Sequence, residues 1–240
     1  MSELEGRTAL VTGGSAGIGF ATARRLIDGG ASVIITGRNP QRGEQARDSL
    51  GPAAQFVAVD MADPAGVERL AREHEPDILV NNAARFPAAL TVDQDENDFG
   101  HTFATNVRGL YFLVAATVPT MIRRRGGAIV NVTSMVASKG VPGASVYSAS
   151  KAAVEQLTRT WAVEFGPHHI RVNNVAPGPT STEGVAAEWG ETNDELGRAL
   201  PLGRTADPAE IAEAIYFLAS PRASFITGTT LHVDGGGTAV

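Results

Sequence analysis

Short runs of aliphatic and β-branched residues recur along the chain, at Thr8 to Thr12, Ser32 to Thr36, Phe56 to Val59, Ile78 to Val80, Ala128 to Val132, Arg171 to Val175 and Thr230 to Val233. The first four are unbroken inside, and the last three carry Asn131, Asn173-Asn174 and His232. A strand apolar on both faces is buried on both, which is how the strands of a parallel sheet read. Between these runs lie segments of helical period, among them Ile18 to Ile27, Val67 to His74 and the long Val146 to Phe165. The alternation predicts an α/β fold, a doubly wound, mostly parallel seven-stranded sheet with helices on both faces and ligands at the carboxyl ends of the strands. Only Pro177 to Arg204 breaks the rhythm, being rich in Gly, Thr, Glu and Pro and too long for an ordinary connection. Within it, residues 179–204 are expected to form a substrate lid.

Size and composition narrow the picture. With 240 residues, 43% of them hydrophobic, the chain can bury one large core, so a single catalytic domain over 1–240 is expected. A net charge of -6 argues against nucleic acid or an anionic membrane as partner. The one basic run, Arg123-Arg124-Arg125, follows the apolar stretch Tyr111 to Ile122 and precedes Gly126-Gly127, which marks the end of a helix. Cysteine is absent, which removes disulfides and thiolate chemistry. The first residues carry acid where a signal peptide needs basic groups, and the longest apolar stretch falls short of the roughly 20 residues that cross a bilayer. A soluble, cytoplasmic protein is expected.

The first strand runs into Thr12-Gly13-Gly14-Ser15-Ala16-Gly17-Ile18-Gly19 and then directly into a helical pattern. Glycines there permit a tight turn, and the N–H groups of the helix start favour a pyrophosphate. The second strand ends in Thr36-Gly37-Arg38-Asn39, with no carboxylate to repel a 2′-phosphate and with Arg38 in position to pair with one. NADP(H) is therefore expected in preference to NAD(H). Further on, Tyr147-Ser148-Ala149-Ser150-Lys151 sets a phenol and an ammonium four residues apart on one helix face. With three Tyr and two Lys in the chain, random placement predicts only about 0.03 such pairs. Ser134 follows the strand Ala128 to Val132, at the end where substrate should lie. Reducing a ketone requires a proton donor for its oxygen, and oxidising an alcohol requires the same group as base. Tyr147 fits that role, with Lys151 expected to lower its pKa and Ser134 to hold the substrate oxygen.

These motifs together resemble the short-chain dehydrogenase/reductase family, especially its 3-oxoacyl carrier-protein reductases, over essentially the whole chain. The match extends to Asp60, Asn81-Asn82-Ala83-Ala84, Asn106 in Asn106-Val107-Arg108-Gly109, Pro177-Gly178 and Asp234-Gly235-Gly236. The resemblance implies a Rossmann-type sheet, a catalytic set of Asn106, Ser134, Tyr147 and Lys151, and a nicotinamide cofactor held by Gly13, Ser15, Ala16, Gly17, Ile18, Gly19, Arg38, Asn39, Asp60, Met61, Asn82, Ala83, Ala84, Pro177, Gly178, Thr180 and Thr182 besides Tyr147 and Lys151. Asp60 would meet the adenine, Asn106 would hold a water in a proton relay through Lys151, and Thr180 and Thr182 would meet the nicotinamide. Two positions depart from the pattern. Ala84 replaces a customary glycine and Thr180 a customary aliphatic residue. The resemblance also implies a homotetramer or homodimer built through the segments Asp95 to Arg124 and Val146 to Phe165 and through the C-terminal strand.

Other features carry less. His168-His169 reads as a surface turn, and no metal ligand set is apparent. Asp207-Pro208-Ala209-Glu210 reads as a helix start. Glu183, Glu188, Glu191, Asp194 and Glu195, relieved by Arg198 and by Arg204 at the segment's end, give the lid an acidic field that would disfavour strongly anionic substrates. Three functions follow. The leading one is reduction or oxidation of a small or medium-sized ketone/alcohol pair, in a pocket of Met135, Val136, Val141, Pro142, Gly143 and Trp189. A 3-oxoacyl carrier-protein reductase is the alternative, for which Arg125 matches one of the two basic carrier-facing positions while His168 occupies the other. A dinucleotide sensor without turnover is the third, disfavoured because a sensor needs only the binding half of the site.

Overall fold

A computed structural model describes residues 2–240. Strands β1 (Thr8–Val11), β2 (Ser32–Gly37), β3 (Ala54–Ala58), β4 (Ile78–Asn81), β5 (Gly127–Val132), β6 (Ile170–Pro177) and β7 (Thr230–Val233) form one sheet in the order β3-β2-β1-β4-β5-β6-β7. Every neighbouring pair is parallel. Helices α1 (Gly17–Asp28), α2 (Pro40–Leu50), α3 (Pro64–Glu73), α4 (Glu96–Phe103), α5 (Leu110–Arg123), α6 (Ser145–Phe165), α7 (Glu183–Trp189), α8 (Thr192–Arg198) and α9 (Pro208–Ala219) complete the chain. The strand order reverses between β1 and β4, the point at which such sheets open a crevice for ligands.

The aliphatic side chains of the strands alternate between two different cores. Ala9, Val11, Val33, Ile35, Val80 and Val130 join residues of α1 and α9 in one cluster. Their neighbours Leu10, Ile34, Leu79, Ile129 and Val172 join α3, α5 and α6 in the other. The segment 179–204 is not structureless: α7 and α8 lie within it, with Thr182 capping α7 through a hydrogen bond from the Val185 amide. Asp207 and Glu210 form a reciprocal capping box at the start of α9. The basic run ends α5, where Arg123 and Arg124 both pair with Glu75. His168 and His169 occupy an exposed turn before β6. No helix among the described residues is long and apolar enough to cross a membrane.

A polar ladder crosses this apolar interior. Asn81 Nδ2 on β4 donates to Asn131 Oδ1 on β5 (2.8 Å), and Asn131 Nδ2 donates to Thr158 Oγ1 on α6 (2.8 Å). The Thr158 hydroxyl donates to Asn174 Oδ1 on β6 (2.6 Å), whose Nδ2 donates to Thr230 Oγ1 on β7 (3.0 Å). Asn81, Asn131, Thr158 and Asn174 are buried, so each bond replaces water that cannot enter. The ladder fixes α6 against the carboxyl half of the sheet.

Candidate active site

A cleft of about 870 Å³ opens at the carboxyl ends of the strands. At one end lies the turn after β1. Gly13 has φ +65°, and a Cβ there would stand 2.9 Å from the Ala83 Cα. A Cβ on Gly19 would collide with the Gly13 carbonyl oxygen at 2.3 Å. Glycine is required at both positions, for the left-handed turn and for the close packing of α1 under it. Asn82 braces the turn from β4, its Nδ2 donating to the carbonyls of Thr12 (3.0 Å) and Gly13 (3.1 Å). Helix α1 starts at this turn and, like α5, α6 and α8, lacks a side-chain cap, whereas α2, α3, α4, α7 and α9 begin with Asn39, Asp63, Asp95, Thr182 and Asp207 as caps. The α1 amides are thus free to meet an anion, in the geometry that binds phosphates.

Of the residues assigned to the cofactor by resemblance, all but Gly19 line the cleft: Gly13, Ser15, Ala16, Gly17, Ile18, Arg38, Asn39, Asp60, Met61, Asn82, Ala83, Ala84, Tyr147, Lys151, Pro177, Gly178, Thr180 and Thr182. Gly19 lies just beneath, for the packing reason given above. Several have local partners as well: Asn39 Oδ1 accepts from the Arg42 amide, and Asp60 Oδ1 from the Ala62 amide. Ala84 needs no positive φ, so a methyl stands there without strain. The Thr180 hydroxyl is turned back onto the Gly178 carbonyl, and its own carbonyl accepts from Asn193 Nδ2. Thr36 is buried at the floor, and its hydroxyl has no partner among the described residues. The uncapped helix start, the glycine turn and the elongated cleft suit a dinucleotide.

The other end is formed by β5 and α6. Ser134 follows β5, and Tyr147 and Lys151 stand one above the other on the first turns of α6. Lys151 is buried and donates from Nζ to the Val132 carbonyl (2.7 Å), with Nζ 5.6 Å from the centre of the Tyr147 ring. Burial lowers the Lys151 ammonium to about 8. Burial also pushes the Tyr147 phenol up to about 12, with hydrogen bonding to Ser134 opposing it. The expected lowering of the tyrosine by its lysine is therefore not what this structure displays: desolvation of the phenol dominates.

Asn106 sits in a π-turn, Ala104–Gly109, between α4 and α5. Its Oδ1 accepts from the Arg85 amide, and its Nδ2 donates to the Arg85 carbonyl and to Ser150 Oγ, so the amide clamps the loop after β4 to α6 behind the cleft wall. On the substrate side, Met135, Val136, Val141 and Trp189 line the cleft as expected from sequence. Pro142 and Gly143 do not, because their turn packs against the loop after β4, where the Ala89 amide donates to the Gly143 carbonyl (2.9 Å). Sequence reasoning missed Phe86, whose ring meets Tyr147 edge-on at 6.1 Å, and Arg42, Asn193 and Leu196, which also line the cleft. The acidic residues of the segment 179–204 are partly engaged: Glu183 pairs with Arg42, and Glu188 accepts from the Ala88 amide.

Fold and cleft define a parallel α/β protein in which a glycine turn and a Ser-Tyr-Lys set face one another across the strand ends. Comparison with known proteins sharpens this class. Residues 13–238 match the family model described as Enoyl-(Acyl carrier protein) reductase. The 3-oxoacyl-(acyl-carrier-protein) reductase FabG of Chlamydia trachomatis is 37% identical over 97% of this chain and 98% of that protein, and the enzyme of the same name from Vibrio cholerae is 38% identical over the same shares. A sorbitol dehydrogenase of Cereibacter sphaeroides is 37% identical, again over 97% and 98%. Among solved structures, a short chain dehydrogenase/reductase family protein superposes with a TM-score of 0.96 at 56% identity, covering 99% of this chain and 100% of that one. The chain belongs to the short-chain dehydrogenase/reductase family of oxidoreductases.

Proposed function

We propose that the protein interconverts a ketone and a secondary alcohol with NADP(H) in preference to NAD(H), using Tyr147 as general acid and base. The observation that carries this reading is the single cleft lined at one end by an uncapped helix start and Arg38 and at the other by Ser134, Tyr147 and Lys151. When bound, the nicotinamide supplies or accepts the hydride at the substrate carbon. The Ser134 hydroxyl donates to the substrate oxygen, and the Tyr147 hydroxyl gives its proton to that oxygen in reduction and recovers it in oxidation. The Lys151 ammonium, oriented by the Val132 carbonyl, stabilises the phenolate left behind. A phenol is protonated at neutral pH in any case, and burial pushes Tyr147 further in that direction, so reduction begins from the required form. Asn106 orients the loop after β4 against α6, and a relay water at this residue would meet its main chain, since its amide is engaged.

The substrate end is walled by Phe86, Met135, Val136, Val141, Trp189 and Leu196, which favours an uncharged carbonyl compound. The names of the FabG relatives favour a second reading, a 3-oxoacyl thioester. Against it, Arg125 and His168 precede β5 and β6, so they lie at the amino edge of the sheet, roughly 20 Å along a six-residue strand from Ser134. Exposed Phe99, Tyr111, Phe112 and Val163 on α4, α5 and α6, together with Phe225 beside β7, support association into a homodimer or homotetramer.

An absorbance screen of NADPH oxidation against neutral ketones, diketones, sugars and 3-oxoacyl thioesters, with NADH in parallel, tests the reading. Turnover of a neutral ketone with NADPH preferred is expected. A clear NADH preference removes the cofactor assignment, and markedly better turnover of thioesters favours the second reading. Cofactor binding without turnover of any compound would leave the sensor.

A further inference from the structure

Two arginines line the adenosine end of the cleft, Arg38 after β2 and Arg42 in the first turn of α2. Their circumstances differ. Arg38 is exposed and forms no ion pair among the described residues, whereas Arg42 Nη2 donates to Glu183 Oε2 at 2.5 Å. That pair spans 141 positions and joins the start of α2 to the first residue of the lid helix α7. Beside Glu183, the Thr182 methyl is so near Gly17 that a Cβ on the glycine would stand 3.0 Å from it, so the leading edge of the lid rests on the phosphate turn. The root of Arg42 is fixed, because Asn39 caps its amide. Its head is not: the two side chains are 45% and 84% exposed, and an ion pair so open to water is weak and exchangeable. A phosphate in reach offers a guanidinium two parallel charge-assisted hydrogen bonds instead.

We propose that Arg42 is a second ligand of the cofactor 2′-phosphate and that Glu183 competes with that phosphate for it. Binding of NADP(H) then transfers Arg42 from the lid to the cofactor, while NAD(H) leaves the pair intact. Glu183 thereby weakens the phosphate selectivity that Arg38 and Arg42 create, and the lid edge is released only by the phosphorylated cofactor. The proposal rests on the NADP(H) reading given above.

Equilibrium titration tests it without turnover, using NADPH, NADH, 2′,5′-ADP and 5′-AMP as probes on the full chain and its R38A, R42A and E183Q variants. R42A is expected to weaken NADPH and 2′,5′-ADP about tenfold, the scale of a lost charge-assisted bond, and to leave NADH and 5′-AMP unchanged. E183Q is expected to tighten NADPH and 2′,5′-ADP about threefold, the scale of an exposed ion pair, again without effect on the other two probes. If the unaltered protein binds 2′,5′-ADP no better than 5′-AMP, the cofactor reading itself has failed and the proposal with it. If it discriminates, and R38A removes the discrimination while R42A changes nothing, only the proposal is overturned. Weaker binding of all four probes to E183Q likewise overturns it, since Glu183 would then act through lid structure and not through competition.

Discussion

The two sides of the cleft are built to opposite specifications. Helix α6 carries Tyr147 and Lys151 and is fastened by buried bonds, to β5 and β6 through Thr158 and to the loop after β4 through Ser150 and Asn106. The segment facing it is tied at its root by main-chain bonds between Pro179, Ser181 and Ala206, but its helix α7 is held to the rest of the cleft by exposed groups, Glu183 to Arg42 and Glu188 to the Ala88 amide. Buried bonds in a dry interior hold one arrangement, since breaking any of them strands a polar group. Exposed pairs exchange with water and ligand at little cost. In the proposed mechanism the groups that move protons thus sit on the rigid side, and the ion pair proposed to respond to the cofactor sits on the exchangeable side.

The largest effect should come from the reacting atom itself. Tyr147→Phe keeps the ring, its edge contact with Phe86 and its helix position, and removes only the hydroxyl. Turnover should fall by at least the 10²–10⁴-fold typical of a lost general acid/base, with NADPH affinity unchanged in a fluorescence titration. Retained turnover would show that the rigid side does not carry the chemistry.

A second effect follows from Lys151. Its ammonium persists to about pH 8, so the maximal reductive rate should decline as pH rises through that value, when Tyr147 loses the charge that stabilises its phenolate. Unfolding does not explain such a decline. The folded-state value is lowered from 10.5 to about 8, so between these values the unfolded chain binds more protons and this group's contribution to stability rises with pH. Tyr147, raised from 10.0 to about 12, acts in the opposite sense, but only above pH 10. A melting temperature that holds or rises from pH 8 to 9 while the rate falls is the expected pattern. A rate flat to pH 10 would mean that the ammonium plays no such part.

Breaking the ladder tests rigidity more directly. Thr158→Val leaves Asn131 Nδ2 and Asn174 Oδ1 buried without the partner between them, and should cost about 2 kcal/mol of stability in a denaturant titration. A lid substitution such as Glu188→Gln should cost less than about 0.5 kcal/mol, as exposed surface changes do. Equal costs at the two sites would erase the contrast.

This contrast also governs what could be read from the sequence. The central strands were legible because burial on both faces leaves an aliphatic run, as in β1 and β4, while the part-exposed edge strand Thr230–Val233 was legible from its β-branched ends. The third strand runs Ala54–Ala58 and not Phe56 to Val59, because its register is set by pairing with β2, where Val33 opposes Ala54. The Tyr-Lys pair was legible because helix geometry relates positions four apart. Arg42 and Glu183 were not, since nothing local marks two residues 141 positions apart as neighbours. Nor was the ladder, whose asparagines lie in three strands remote in sequence. The upward push on the Tyr147 phenol was not legible for a related reason: spacing reveals a lysine nearby, whereas desolvation depends on the whole fold.

The smallest effect belongs to a feature that both sequence and structure identify. Asp207 caps α9 with its side chain accepting from the Ala209 amide, and Glu210 returns a bond to the Asp207 amide while pairing with Arg204. Asp207→Ala should cost about 1 kcal/mol of stability, the usual value of a lost N-cap. Helix α9 packs against α1, β5, β6 and β7 below the cleft, yet none of the Asp207 capping groups lines it. The maximal rate and both cofactor affinities should therefore be unchanged. A fall in NADPH affinity in this variant would mean that α9 transmits strain through α1 to the glycine turn, and the boundary between rigid scaffold and exchangeable edge would have to be drawn closer to the cofactor.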